Sequence, residues 1–357
     1  MADRSRAIAD LKQQLFAIDE KILGELEARL RLSRALSEQL EAGPPTIDGD
    51  DRQWLAELER KASGDVPIEC LRAVFKQIRA VGRGLEQPVR VAYAGAAGSF
   101  GYEMGQAYFG PIVPLVECST TADALSEVLR GRAAFAVFPF ESSVDGLMHS
   151  SITALAQTDL VMVGARSLRA QYDLVSRDGT LEDVDRIYAT ALAHAACEGF
   201  IDRELSQSSL IDVRSPSVAA QLAGDNERTA AIVPETCARE AGLAVVRANV
   251  GDAAELRFRY GIASGRPAPR TGEDTTSLLF SVDDAPGSLY DVLSHFAERR
   301  INIGKLQSRP VTSENWDYIF YVEISGHVTD RAVVTALEAV KATTKYLKIL
   351  GSFPVDA

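Results

Sequence analysis

From about residue 5 to residue 41, apolar residues recur at Ile8, Leu11, Leu15, Ile18, Ile22, Leu26 and Leu30, the three-and-four spacing of one helix face. At about 1.5 Å per residue such a helix spans roughly 50 Å. That is too long for its stripe to be covered within a small monomer, so pairing with a second chain is expected. Gly43-Pro44-Pro45 ends the run, the acidic stretch TIDGDD caps a second helix, and Pro67 sits where a third begins. After Gln87-Pro88 the period shortens. VRVAYAG, AAFAVFPFE, LVMVGARSL, DRIYAT and TAAIVPE read as short buried strands, separated by helical segments such as TADALSEVLRG and SPSVAAQLAG. The alternation predicts an α/β domain with a largely parallel sheet, whose ligands collect beyond the C-terminal strand ends.

One later strand differs in texture. In AAELRFRYGIAS, Leu256, Phe258 and Tyr260 share one face while Arg257 and Arg259 share the other. Arginines beside aromatics at the mouth of a strand suit an anionic ligand. The Gly- and Pro-rich segment SGRPAPRTGED then marks a linker. Beyond it TTSLLFSVDD, PGSLYDVLSHFAERR, NIGKLQSRP, WDYIFYVEISG, DRAVVTALEAVKATT and YLKILGSFP read as strand, helix, strand, strand, helix, strand, a ferredoxin-like βαββαβ order.

Length and composition narrow the classes. A chain of 357 residues suggests two or three domains, and 46% hydrophobic with 25% charged residues reads as globular. The formal charge of −12 argues against a nucleic-acid partner, because phosphate binding needs a basic stripe. Small anions held by a few arginines remain compatible with it. Cys70, Cys118, Cys197 and Cys237 form no CxxC pair and read as buried free thiols of a reducing cytoplasm. The four histidines form no ligand pair, so no metal is expected, and the charged N-terminus reads as neither signal peptide nor membrane span.

The three segments together, and the motifs inside them, resemble the bifunctional chorismate mutase/prephenate dehydratases over nearly the whole chain. The resemblance implies an all-α chorismate-mutase-like helical dimer domain at 1–87, a two-lobed α/β prephenate-dehydratase-like domain at 88–266 and a ferredoxin-like ACT module at 272–357. The tail carries its most specific part. In the family, Gly-Ala-Leu and Glu-Ser-Arg-Pro segments shape a phenylalanine pocket, and the matching residues are Gly287-Ser288-Leu289 and Gln307-Ser308-Arg309-Pro310. A glycine at a helix start lets backbone amides approach a carboxylate, while Gln307 in place of Glu removes one charge.

In the α/β segment, AGAAGSFG stands at the family's Gly-Pro-x-Gly-Thr-Phe-Ser loop, with Ala96, Ser99 and Gly101 at the altered positions. Such a loop can hold a carboxylate on backbone amides, and its G-x-x-G-x-x-G spacing is not the dinucleotide fingerprint. PFESSVDG keeps Glu141, Ser143 and Gly146 of Pro-Ile-Glu-Asn-Ser-x-x-Gly, with Ser142 for Asn. Ala189, Thr190, Ala191 and Leu192 stand at Ser-His-Pro-Gln, and Leu256-Arg257-Phe258 at Thr-Arg-Phe. Ser99, Glu141, Ser142, Ser143, Arg257 and Phe258 are therefore the candidate dehydratase-like site. Dehydration of prephenate expels CO2 and the ring hydroxyl, and the hydroxyl needs a proton donor that leucine cannot supply.

A mutase accelerates a pericyclic rearrangement by holding its substrate compact and placing positive charge at the ether oxygen. By resemblance, Lys12, Arg29 and Arg52 are the candidate mutase-like residues and Asp19 matches. Leu40 stands where the ether-contacting lysine is expected, Gln53 replaces an acid, Gly82 replaces a serine, and Glu86 or Gln87 stands at the closing glutamine. The resemblance implies prephenate and chorismate as substrates, phenylalanine as effector, no cofactor, and a homodimer or higher oligomer. Three outcomes stay open: a P-protein-like enzyme with diverged sites, a non-catalytic phenylalanine-sensing regulator, or a prephenate decarboxylase giving a non-aromatic product.

Overall fold

A computed structural model describes residues 2–39, 54, 57–62, 66–75, 78, 89–111, 113–177, 184–253, 255–310 and 318–355. The N-terminal periodicity becomes one helix, α1 (Ala2–Gln39). Its stripe is open to solvent in the single chain, with Ile8, Leu11, Leu15, Ile18 and Ile22 all exposed. Further helical turns occupy 57–61 and 68–75, the latter directly after Pro67 as expected. Arg72 bonds Glu59 at 2.6 and 3.2 Å, and Trp54 meets Phe75 edge-on at 5.4 Å, so the two short helices are tied together. The expected cap at 46–51, and Leu40, Arg52, Gln53, Gly82, Glu86 and Gln87, lie outside the described residues.

Two lobes follow. The first contains β1 (Val91–Ala94), α2 (Phe100–Phe109), β2 (Leu115–Cys118), α3 (Thr121–Leu129), β3 (Phe135–Ser142), β4 (Gly146–Leu147), α4 (His149–Ala156) and β5 (Val161–Ala170). The second contains β6 (Tyr172–Ser176), β7 (Arg186–Ala189), α5 (Ala191–Ala196), α6 (Glu198–Glu204), β8 (Ser209–Asp212), α7 (Pro216–Asp225), β9 (Thr229–Pro234), α8 (Glu235–Ala241) and β10 (Ala244–Arg247). The chain then returns to the first lobe as β11 (Leu256–Ser264).

The sheets are mixed instead of largely parallel. In the first, ordered β2-β1-β3-β11-β5, β1 is parallel to β2 and β3, but β11 runs antiparallel to both its neighbours. In the second, ordered β10-β6-β9-β7-β8, β6 runs antiparallel to both its neighbours, while β7 pairs in parallel with β8 and β9. The cause is connectivity: β5 passes into β6 across Gln171 alone, and β11 comes back, so the crossing strands cannot share the direction set by the helical connections.

The two crossings are fastened to each other. The Asp173 carboxylate accepts from Asn249 N at 2.8 Å and Gln171 Nε2 at 3.1 Å, and Val250 N donates to Tyr172 O at 2.8 Å. One apolar cluster runs through both lobes, joining Val137, Phe258, Tyr260 and Ile262 to Tyr172, Leu174, Ile187 and Phe200. The lobes therefore share a core where the chain crosses between them.

The C-terminal module has the expected βαββαβ order: β12 (Asp274–Ser281), α9 (Ser288–Glu298), β13 (Ile303–Pro310), β14 (Tyr318–Ser325), α10 (Arg331–Thr343) and β15 (Tyr346–Pro354). Its antiparallel sheet is ordered β13-β14-β12-β15. One face packs on α9 and α10 through Leu278, Phe280, Val292, Phe296 and Val340. The other face joins the first lobe, where Leu279, Tyr321, Leu350 and Phe353 share a core with Phe138, Phe140 and Met162. Alternation along each strand thus serves two cores.

The thiols divide unevenly. Cys70 is exposed, against expectation, because its short helix leaves that face uncovered; Cys118, Cys197 and Cys237 are buried, and all four are free. Burial pushes the Cys197 thiol up to about 12 and Cys237 up to about 11, so both stay protonated at neutral pH. Among the described residues no helix is long and apolar enough to cross a membrane.

Candidate functional site

The glycine loop joins β1 to α2. Ser99 caps α2, its hydroxyl accepting from Tyr102 N at 3.5 Å. Gly98 has φ +76°, and a Cβ there would lie 2.8 Å from Cys237 Sγ and 3.2 Å from Ser217 N, so only glycine fits against the second lobe. Ala97 is bonded on both sides: its N–H donates to Glu117 Oε2 at 3.0 Å, and its carbonyl accepts from Ser217 N at 3.3 Å. The loop fastens the lobes together, and the Ala97 amide is already occupied by a carboxylate of the chain itself.

Across that junction, Glu103 of α2 hydrogen-bonds Thr236 of α8. Burial raises its carboxyl above the ordinary value of 4.5, with Glu235 and Glu240 adding to the rise and Thr236 and Arg239 opposing it. The folded state therefore binds this proton more tightly than the unfolded chain. Stability contributed here falls as pH rises above the unfolded value, so Glu103→Gln is expected to flatten the slope of stability on the alkaline side of the ordinary carboxylate value, read by urea denaturation. An unchanged slope would remove Glu103 as its source.

The PFESS segment ends β3. Ser142 is 2% exposed, and its hydroxyl is engaged by its own turn, donating to Asp145 Oδ2 at 3.0 Å and accepting from Asp145 N at 2.8 Å. Ser143 ties β3 to the start of β11: its hydroxyl donates to Glu255 O at 3.2 Å and accepts from Arg257 N at 3.0 Å, while Ser143 N donates to Arg257 O at 2.8 Å. Phe258 stands opposite Ser142 in register. It is buried against Phe100 of the glycine loop, ring centroids 5.9 Å apart. Ser99, Ser142, Ser143, Arg257 and Phe258 are thus gathered by the loop and the β3 and β11 strand ends.

Leu256 is half-buried against the apolar cluster shared by the lobes, opposite Ala170. The Arg257 side chain is 54% exposed and pairs with Glu255 at 3.2 Å, leaving its guanidinium accessible to an anion. Thr190 caps α5 by accepting from Ala193 N at 3.2 Å, and Leu192 beside it is 60% exposed.

Glu141 faces elsewhere. Its carboxylate bonds Lys305 Nζ of β13 and accepts from Arg259 Nη1 at 3.0 Å. Arg259 also meets Glu323 of β14 at 2.9 and 3.4 Å, and Tyr321 donates its hydroxyl to Glu323 at 2.6 Å. Burial opposes the Arg259 charge, but the carboxylates of Glu323 and Glu141 outweigh it and hold the guanidinium protonated. Arg259, which shared a face with Arg257 in the sequence pattern, therefore turns to carboxylates of the chain. Its partners lie 64 and 118 residues away, a distance no local pattern spans.

In the C-terminal module Gly287 caps α9 at φ +93°, with Asp291 N donating to its carbonyl at 2.9 Å. Ser288 opens the helix, and Leu289 packs against the module's core. Gln307 lies against the β3–β4 turn, where a Cβ on Gly146 would be 3.7 Å from its Nε2. Ser308 is exposed, and Arg309 and Pro310 pair with Ile319 and Tyr318 at the strand end. In α1, Lys12 is exposed, while Arg29 is half-buried with its guanidinium 5.9 Å from the Trp54 ring centroid. Arg29 Nη1 is buried without a hydrogen-bond partner among the described residues.

A two-lobed α/β domain with a ferredoxin-like module docked on its first lobe, preceded by a helical region, defines the class of protein. The prephenate dehydratase family model matches residues 91–267 and the ACT domain model residues 276–342. The bifunctional chorismate mutase/prephenate dehydratase of Aquifex aeolicus is 30% identical over 353 residues, covering 97% of this chain and 98% of that protein. The chain belongs to the bifunctional chorismate mutase/prephenate dehydratase family, with a C-terminal ACT domain. Prephenate dehydratase from Arthrobacter aurescens, solved with L-Phe, is similar in structure at TM-score 0.64 and 28% identity, covering 74% of this chain and 90% of that one. GqqA, a quorum quenching acylase, is similar at TM-score 0.63 and 27% identity, covering 74% and 97%.

Proposed function

We propose that the chain serves the phenylalanine branch as a protein that binds prephenate between its lobes and phenylalanine at its ACT domain, with weakened dehydratase chemistry. One observation carries this reading. At the three positions where the family supplies polar groups, this chain holds a serine hydroxyl locked to Asp145, an exposed Leu192 and a half-buried Leu256. The accessible Arg257 is a binding group, suited to a carboxylate and unable to release a proton.

In the dehydration, the C–C bond to the ring carboxylate breaks as CO2 leaves, and its electron pair enters the ring. The C–O bond then breaks, and the departing oxygen takes up a proton to leave as water. Without a positioned donor the last step slows by about two orders of magnitude. If protonation of the ring carbon overtakes it, the hydroxyl is retained and the product is a non-aromatic dihydro compound.

NMR of prephenate incubated with the full chain is expected to show phenylpyruvate forming slowly. A dihydro product would move the reading to a decarboxylase. Unchanged prephenate at high protein concentration would replace enzyme with regulator, a reading favoured by the well-formed, docked ACT domain. For the helical region the proposal is a mutase-like dimer, α1 pairing its exposed stripe with a second copy, in which Arg29 Nη1, without a hydrogen-bond partner among the described residues, meets a substrate carboxylate.

A further inference from the structure

We propose that Glu141, Lys305, Arg259 and Glu323 link the effector strand β13 to the two strands that hold the motif serines and Arg257, so that effector occupancy is read at the cleft through this charge cluster. The inference rests on the effector half of the reading above and gives it a physical route.

The cluster has two negative and two positive members and crosses the boundary between modules twice. Glu141 of β3 bonds Lys305 of β13, and Arg259 of β11 bonds Glu323 of β14. Arg259 also bonds Glu141, which closes the set, and its guanidinium lies 4.9 Å from the Phe140 ring centroid. All four side chains are largely withdrawn from water, Glu323 most of all at 10% exposed.

The two crossings land on strands of different standing. β14 is interior to the ACT sheet, and the module is anchored besides by the apolar core around Leu350 and Phe353, by Lys348 Nζ donating to Thr158 O at 2.9 Å, and by His327 against Ala268 O at 3.3 Å. Among the described residues β13 is an edge strand paired to β14, and its register shifts between Ile303 and Lys305. Lys305 and Gln307 lie two residues apart on this strand; Lys305 bonds Glu141, while Gln307 abuts Gly146. Both contacts fall on the β3–β4 hairpin, where Gly146 pairs with Ser142.

A displacement of β13 against its anchored neighbours therefore reaches Glu141 first. Ser142 is the next residue. Arg259 is Glu141's partner in register, and two residues before it Arg257 is bonded to the Ser143 hydroxyl. The β11 chain thus carries the displacement to the groups that would hold substrate. Such a link needs only two arrangements of one packed element, each favoured by a different ligand state.

Hydrogen–deuterium exchange of the full chain, with and without L-phenylalanine, tests this. In the unmodified protein phenylalanine is expected to slow exchange in 303–310 and to change exchange in 141–147 and 255–259. Lys305→Met, and the charge-balanced double variant Glu141→Gln with Lys305→Met, should keep the response at 303–310 while that at 141–147 and 255–259 falls about threefold or more. Lys305→Arg, which retains the bridge, should restore it. Protection at 303–310 with an undiminished cleft response in both variants overturns the inference alone. No response at 303–310 in the unmodified protein removes the effector reading, and the inference with it.

Discussion

Arg259→Met is expected to cost the folded protein about 3–5 kcal/mol, because it leaves buried charge uncompensated. Arg259 alone touches both acids of the cluster, so its loss leaves Glu323 and Glu141 with Lys305 as the remaining cation. Methionine fills much of the same space, so the cost is electrostatic and not that of a cavity. Urea denaturation followed by far-UV circular dichroism reads the change, fitted by segment because a multidomain chain need not unfold in one step. Adding Glu323→Gln should recover part of the loss, since a neutral amide no longer needs a counter-charge. A loss below about 1 kcal/mol, the range of exposed pairs, would show the cluster to be an ordinary surface bridge.

Leu256→Thr is expected to raise phenylpyruvate formation from prephenate by about 10- to 100-fold, in kcat and not in KM. Leu256 is the residue before Arg257, and its backbone is fixed by the Ser143 bonds to Glu255 O and Arg257 N. A threonine placed there has its hydroxyl held by the strand register. The exchange removes apolar contact with the shared core, at about 1–2 kcal/mol of stability, which should leave the fold intact. The rise stays below full restoration because Leu192 and the tied Ser142 remain. An unchanged kcat in a variant that still binds prephenate would mean that proton supply at this position does not limit the reaction.

Arg257 and Arg259 lie two residues apart on one strand with opposite duties. Arg257 is turned to solvent and Arg259 is enclosed by carboxylates, although alternation places both on the same face. The difference arises because the ACT sheet covers only the inner part of β11. Mutating either arginine without that distinction would confuse loss of ligand contact with loss of docking.

What the sequence by itself determined was element order and type. The period of α1, the short strands of the lobes and all six elements of the ACT domain follow from apolar spacing and turn residues, which act over a few positions. The motif positions at Ser142, Leu192 and Leu256 were also legible, because each lies within a short recognisable string. Tertiary structure decided strand direction, since β11 inserts antiparallel between β3 and β5 only once the chain has crossed to the second lobe and returned. It also decided the duties of the polar groups. Ser142 is consumed by Asp145, Ala97 N by Glu117, and Glu141 by Lys305 and Arg259. Hydrogen bonds and ion pairs form between whatever groups the packed elements bring within about 3 Å, and that proximity is a property of the assembled layers, not of any stretch of chain.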